Sequence, residues 1–401
     1  MTSRAVAALG IGQCVNWGVL YYAFAILVVP LERELGVPTW VVTGAFSFAL
    51  LMSAMLAPTI GGWGDRDRGA FVMQAGGVTA AALLVAWTVM PGVLALYVVW
   101  GGLGFCMAAT LYEPAFVIVG RAYDDPARRL RALAAVTLFG GLASTIFLPT
   151  TAFLVDAMGW RGTVLVLALL LVLSTAIMQT FVFRHLSTAP VGSHVQPPAP
   201  APAESAADST RFRFIVVSFA LASLASGGFA ANLVPALGER GAPPAVAAML
   251  GGLMGVMQLP GRALIMHGAL AVSPARLVGA SLLLHGVGLG AVAIAPSMAG
   301  VGLGTMILAL GAGVTTLVRP HLIQTIFGSG RAGYLNGRLA RHQQLARAAG
   351  PLAIAWCGGV VGYGAVFAIM AGSFAVVALL SQGALGASVF RPLVPTAVSK
   401  R

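Results

Sequence analysis

Apolar residues run along this chain in blocks of about 20 or more, separated by short stretches that hold most of the charge. That is the length an α-helix needs to cross the roughly 30 Å hydrocarbon core of a bilayer. The blocks are continuous and show no two-residue alternation, so they predict helices and no strands. Twelve are expected, near 5–30, 39–60, 70–90, 93–120, 130–155, 162–183, 213–237, 245–268, 276–295, 298–326, 338–361 and 364–389. The first block is too long for a signal-peptide core and has no A-x-A cleavage site, so it reads as a retained helix. Between the sixth and seventh lies STAPVGSHVQPPAPAPAESAADST, rich in Pro and Ala and without apolar periodicity. It reads as a cytoplasmic linker. The expected organisation is a six-helix bundle over 1–183, the linker over 184–212, and a second six-helix bundle with a short tail over 213–401.

Composition narrows the class. The chain of 401 residues is 59 % hydrophobic and 8 % charged, where a soluble domain carries about a quarter charged residues. The net charge of +12 does not point to nucleic acid, because the basic residues sit in short clusters between apolar blocks and form no continuous face. They set orientation instead. With the N-terminus in the cytoplasm, 18 of the 23 Lys and Arg residues fall in cytoplasmic segments, Arg347 among them, and only Arg33, Arg161 and Arg240 fall opposite. Both termini and the linker are therefore expected in the cytoplasm, in the plasma membrane of a bacterium. Cys14, Cys106 and Cys357 lie inside separate blocks, which speaks for packing thiols over a disulfide framework. There is no phosphate-cradling glycine loop, metal-ligand spacing or nucleophile elbow. Neither an enzyme nor an ATP-driven pump is expected, and no cofactor.

The halves repeat each other. PLERELGVP (Pro30–Pro38) and PALGERGAP (Pro235–Pro243) share P-x-x-x-E-x-G-x-P, and TLYEP (Thr110–Pro114) matches TLVRP (Thr316–Pro320) as T-L-x-x-P. Both matches fall at nearly one offset, as in a duplicated six-helix unit with a site between related halves.

GGWGDRDRG, after the second block, resembles the loop 2–3 signature of the major facilitator superfamily through Gly61, Gly64, Asp65 and Arg66, with Arg68 and Gly69 in swapped order. GWR at Gly159–Arg161 is a further likeness. The resemblance implies twelve transmembrane helices in two pseudo-symmetric bundles, with helices 1, 4, 7 and 10 lining a cavity. It also implies that Asp65, with Arg66, supports a closed cytoplasmic face by meeting a helix N-terminus and nearby arginines. A narrower likeness is to the monocarboxylate and oxalate/formate branch, through Pro114, Tyr123, Arg128, Arg129, Ala132, Gly140, the Gly261-Arg262 pair and Gly350-Pro351. Two positions depart from animal monocarboxylate carriers: Gln258 stands where they have a carboxylate, and an apolar residue near Ile26 replaces a lysine. Features of the drug-antiporter subgroup are missing, with Val98 where it has an arginine.

A charge in mid-membrane is costly and usually faces water or a partner. Gly251, Gly255, Gln258 and Arg262 share one helical stripe, which makes Arg262 a candidate anchor for a carboxylate, with a structural pair or snorkelling as the alternative. Glu113 and Arg319 occupy equivalent places in the two halves. Glu113 reads as a proton-coupling acid, as half of a gate with Arg319, or as half of a permanent bridge. Asn16, Tyr112, Gln258, Asn232 and Arg319 complete the candidate substrate contacts, although Gln13, Asn16 and Asn232 equally suit helix–helix hydrogen bonds. His285 reads as an interhelical partner.

The expected function is secondary transport of a small organic anion, a mono- or dicarboxylate, by alternating access. The chain is expected to act as a monomer in the lipid bilayer, coupled to protons or a counter-substrate. The rivals are export of a larger amphipathic compound along Trp17, Tyr21, Tyr22 and Tyr112, and a non-transporting receptor or assembly factor on the same scaffold.

Overall fold

The computed structural model describes residues 1–89, 92–183, 206–242, 244–266, 274–328 and 330–389. Most of the expected linker (184–205) and the tail from residue 390 onward lie outside them. The described residues form helices and no strand, the outcome required where no water is present to satisfy an unpaired backbone group.

The first half begins with α1 (Ser3–Leu35), which contains Pro30 and a π-helical turn at Gly18–Tyr22. It ends at Gly36, whose φ of 63° supplies the left-handed cap that a glycine tolerates best. Then come α2 (Thr39–Trp63), α3 (Gly69–Trp87) and α4, in two pieces, Gly92–Thr110 and Tyr112–Ala122. Pro126–Phe183 is one apolar run divided by Gly159, at φ 70° and ψ 172°, into α5 (126–158) and α6 (160–183). Asp125 starts α5 by accepting from Ala127 N and Arg128 N, with Pro126 in the first turn. The second half consists of α7 (Ala206–Gly238), α8 (Pro244–Met266), α9 (Pro274–Ile294), α10 (Met298–Phe327), α11 (Ala332–Val361) and α12 (Tyr363–Val389).

Nine continuous runs among the described residues are long and apolar enough to cross a membrane. One of them is the double run Pro126–Phe183, and α8 and α11 stand outside the nine although both are helical. The surface is inverted relative to a soluble protein. Phe71, Leu94, Phe153, Leu352, Trp356 and Leu379 are exposed, while Gln13, Asn16, Ser218, His285 and Thr305 are buried. Lipid accepts the first set, and helix contacts must satisfy the second.

The structure differs from the sequence expectation in four local features. The expected loop GGWGDRDRG is wound, with Gly64–Arg68 as a π-helical turn, and the chain changes direction at Arg68 (φ −93°, ψ 4°). The fourth helix is not continuous: Leu111, at ψ −157°, breaks it. Helix α7 begins at Ala206, so the last residues of the expected linker are helical. Helix α11 begins at Ala332 rather than near 338, because AGYLNG at 332–337, with two glycines and an asparagine, carries little apolar signal yet continues the helix.

The repeat is visible in the contacts. Glu34 accepts from Trp160 Nε1 and both terminal nitrogens of Arg161 at the start of α6, each at 2.6 Å. Its counterpart Glu239 accepts from the Tyr363 N–H at the start of α12, at 3.3 Å. Between the halves, α2 packs on α11 and α5 on α8. At the α2–α11 crossing a side chain on Gly61, Gly333 or Gly337 would overlap the opposing backbone carbonyl, so these helices touch main chain to main chain.

Candidate functional site

The break in α4 follows from Pro114. Proline has no N–H, so the Thr110 carbonyl one turn earlier has no partner within the helix. Two amides from α1 replace it: Gln13 Nε2 at 2.8 Å and Asn16 Nδ2 at 3.0 Å. Asn16 is thus engaged with the backbone of α4 and fully buried. The break turns Tyr112 and Glu113 toward the seam between the halves.

Glu113 meets Arg319 there, Nη2 to Oε1 at 2.5 Å, with both side chains about nine-tenths buried. The residues that the repeat places in equivalent positions are therefore in contact. Arg319 Nη1 donates to Gln343 Oε1 at 2.7 Å, and Gln343 Nε2 to Ser223 Oγ at 3.1 Å. One charged contact thus continues through α10 and α11 into α7. The Arg319 guanidinium also lies 5.7 Å from the Phe116 ring centroid, close enough for a cation–π contribution.

Arg262 is different. It is 4 % exposed, and among the described residues no carboxylate pairs with it. Its Nη1 donates to the Thr137 carbonyl at 2.7 Å, its Nη2 to Gln258 Oε1 at 3.1 Å, and its Nε is buried without an acceptor. The Tyr112 hydroxyl shares the Thr137 carbonyl at 3.5 Å. Arg262, Gln258 and Tyr112 are therefore one cluster across α8, α5 and α4. Gly140 and Gly141 leave the room, since a side chain on Gly140 would strike Tyr112 and one on Gly141 would strike Arg262.

Asn232 lies apart from that cluster. Its Nδ2 donates to the carbonyls of Gly228 (2.8 Å) and Pro351 (2.9 Å), and its Oδ1 accepts from the Tyr363 hydroxyl at 3.4 Å. It ties α7 to α11 and α12. His285 likewise contacts Ser226, the Ser281 carbonyl and the Phe374 ring. At the α2–α11 crossing Asp65 accepts from Gly333 N and Tyr334 N, each at 2.8 Å, with one oxygen for each. A carboxylate there satisfies two orphan donors and meets the positive end of the α11 dipole. Arg121 donates to the Asp65 carbonyl at 2.7 Å, whereas Arg66 is exposed. No cluster that could hold a metal ion occurs among the described residues.

Three participants escaped the sequence reading. Gln343 and Ser223 carry no signal beyond polarity. Arg347 was counted with the cytoplasmic charges although it falls inside the expected span 338–361; it stands 15 residues into α11, roughly 22 Å along the axis. It is exposed, its stem lies along Gly227 of α7, and it is within electrostatic reach of Tyr22 in α1. The side chain therefore faces the seam between the halves. The spacing Gln343/Arg347, one helical turn, was the available signal.

The sequence profile described as Major Facilitator Superfamily matches residues 9–266. No curated protein matches the sequence. The fold is similar to that of the human organic anion transporter MFSD10 (TETRAN), with a TM-score of 0.73 at 17 % identity, covering 95 % of this chain and 100 % of that one. It is also similar to FucP, a Major Facilitator Superfamily transporter in the outward conformation, with a TM-score of 0.66 at 15 % identity, covering 94 % and 98 %. A further structure, of the E. coli fucose:proton symporter FucP, gives a TM-score of 0.65 at 15 % identity over the same shares.

Proposed function

We propose, for a chain that belongs to the major facilitator superfamily, secondary transport of a small organic anion by alternating access. The fold alone does not choose the substrate, since chains of similar fold are named for an organic anion and for fucose with a proton. The observation that carries the anion is Arg262. Its charge is buried, its hydrogen bonds go to neutral oxygens, and Nε has no acceptor. A buried cation without a counter-ion is expensive, and a carboxylate substrate would supply the missing charge in a planar, two-oxygen contact. Arg347, with no carboxylate paired to it among the described residues, adds a second positive charge toward the same seam, which suits a mono- or dicarboxylate. A larger amphipathic substrate would use the rings of Trp17, Tyr21, Tyr22 and Tyr112 but would leave Arg262 uncompensated.

Membership of the superfamily makes this a multi-pass membrane protein and a transporter, not an enzyme. The distribution of basic residues supports cytoplasmic termini, and the membrane in this reading is a bacterial inner membrane. On that orientation the Asp65–α11 contact closes the cytoplasmic face, and Glu113 with Arg319 forms an inner latch. Glu113 would exchange its arginine for a proton when the halves separate, so that proton movement and substrate movement are linked. A receptor or assembly factor would have no use for a contact that must open. The two bundles, 1–183 and 213–401, would rock about the seam as units, and nothing in the mechanism needs a second copy. Uptake into proteoliposomes across a panel of mono- and dicarboxylates, with and without a pH gradient, tests the reading. Accumulation of a carboxylate that disappears in Arg262→Lys is the expected result. Transport of neutral solutes only would refute it.

A further inference from the structure

Beside Arg262 the seam is walled by aromatic rings. Tyr112 lies 5.0 Å from Trp17 and stacks on Phe116 at 5.1 Å with 6° between the planes. Trp17 lies 5.2 Å from Tyr21 and 6.4 Å from Tyr22. All four residues from Trp17, Tyr21, Tyr22 and Tyr112 keep partial exposure. Tyr112 and Arg262, from opposite halves, meet at the Thr137 carbonyl, so the surface these rings expose belongs to the interior seam.

The backbone is shaped for this arrangement. In an unbroken α-helix Tyr22 would stand roughly 140° around the axis from Trp17. The π-helical turn at Gly18–Tyr22, closed by Ala23 N–H to the Gly18 carbonyl, adds a residue to the turn and rotates Tyr22 back. Tyr21 and Tyr22 then sit together against Trp17, their own rings 5.2 Å apart. Single π-turns inside α-helices recur at functional sites, because they cost a regular hydrogen bond and are kept only where a side chain must be re-aimed. A second feature points to a ligand: Trp17 Nε1 is buried without an acceptor. A buried indole N–H ordinarily finds one. The wall therefore offers several π faces and one unused donor, next to a guanidinium lacking its counter-ion.

We infer that the anion carries a flat π system: the substrate class is aryl carboxylates, with the carboxylate on Arg262, the ring against the exposed parts of Trp17, Tyr22 and Tyr112, and a ring substituent accepting from Trp17 Nε1. This rests on the reading of Arg262 as an anion anchor and goes beyond it, because a short aliphatic carboxylate would leave the rings and the indole donor unused. Ring-to-ring stacking adds selectivity beyond the area buried.

The test is a ligand series on the purified full-length protein, read as ligand-dependent thermal stabilisation and as competition for uptake in proteoliposomes. The probes are benzoate, 4-hydroxybenzoate, cyclohexanecarboxylate, succinate and benzyl alcohol. Benzoate is expected to half-saturate at a concentration about three- to tenfold below cyclohexanecarboxylate, which has the same outline without π electrons. The 4-hydroxy compound should be tighter still, and benzyl alcohol inactive. Trp17→Leu should bring the ratio of benzoate to cyclohexanecarboxylate to about one. Because the series on the parent protein needs no variant, poor folding of Trp17→Leu leaves it decisive. Equal binding of benzoate and cyclohexanecarboxylate, or binding of succinate alone, would overturn the aryl class and leave the anion anchor standing. Failure of every anion, or binding of benzyl alcohol as well as benzoate, would overturn both.

Discussion

Arg262 and Arg319 are both buried arginines on the second half of the molecule, 4 % and 8 % exposed, yet their surroundings are unlike. Arg319 has a carboxylate at 2.5 Å and an amide beyond it. Arg262 has a backbone carbonyl, a glutamine and an unsatisfied Nε. Burial is nearly the same, so burial does not separate the two. The counter-charge does. A guanidinium removed from water needs one, and when the protein supplies it the residue can be a structural or gating element. When the protein withholds it, the charge is available to something that comes and goes. Both residues sit at the seam where the halves meet.

The comparison is broken most severely at Arg262. Arg262→Lys keeps a charge but cannot hold two carboxylate oxygens in one plane. It is expected to insert and fold while losing about 100-fold or more in anion-dependent uptake, with ligand-dependent stabilisation lost in parallel; this corresponds to breaking a buried charge contact. Unchanged uptake in this variant would remove the distinction between the two arginines.

At Arg319 the expected effect falls on stability first. Glu113→Gln and Arg319→Gln each strand one buried charge and should lower stability by about 3 kcal/mol, read as a lower melting midpoint and poorer yield. The double neutral variant should recover most of that loss, since neither charge is then alone. Whether uptake driven by a pH gradient recovers with it separates a latch that carries the coupling proton from a bridge that only holds the helices. Additive losses in the four-member cycle would show that the two side chains do not act together.

Asp65 makes a contact that opens without stranding a buried charge, and a smaller effect is expected. Asparagine offers one acceptor oxygen where the carboxylate serves both Gly333 N and Tyr334 N. Asp65→Asn should shift the population toward the state open at the α2–α11 end. A single cysteine introduced by Gln324→Cys, which faces Gly120 at this seam, should then label severalfold faster in a background lacking the native cysteines. An unchanged labelling rate would remove Asp65 from the gate.

The smallest effect is expected at Glu34 and Arg161, a pair with ideal two-oxygen geometry but side chains 37 % and 49 % exposed. Glu34→Gln should lower stability by no more than about 1 kcal/mol and leave uptake intact. A loss as large as that of Glu113→Gln would show that pairing alone, without burial, determines how much such contacts matter.

The pattern along the chain contained the helices, the repeat and the residues that could matter, for one physical reason. The bilayer filters composition locally, so each span must be apolar over its own length and every exception to that is visible. Glu113, Arg262 and Arg319 stood out because a charge inside such a span has to be tolerated for a cause. Asp65 was visible through its glycine-rich surroundings. The three-dimensional arrangement decided the rest. That Glu113 meets Arg319 across 206 positions of sequence separation, while Arg262 meets no acid, depends on which helices become neighbours. Arg347 was counted with the cytoplasmic charges although it falls inside the expected helix 338–361, and only the packing of α11 shows how deep along that helix it stands. The π-helical turn that brings Tyr22 toward Trp17 has no signal in the periodicity. Hydrophobic periodicity records how far each residue is from water, and only the packing of α4, α5, α8, α10 and α11 against one another assigns each buried charge its partner or leaves it without one.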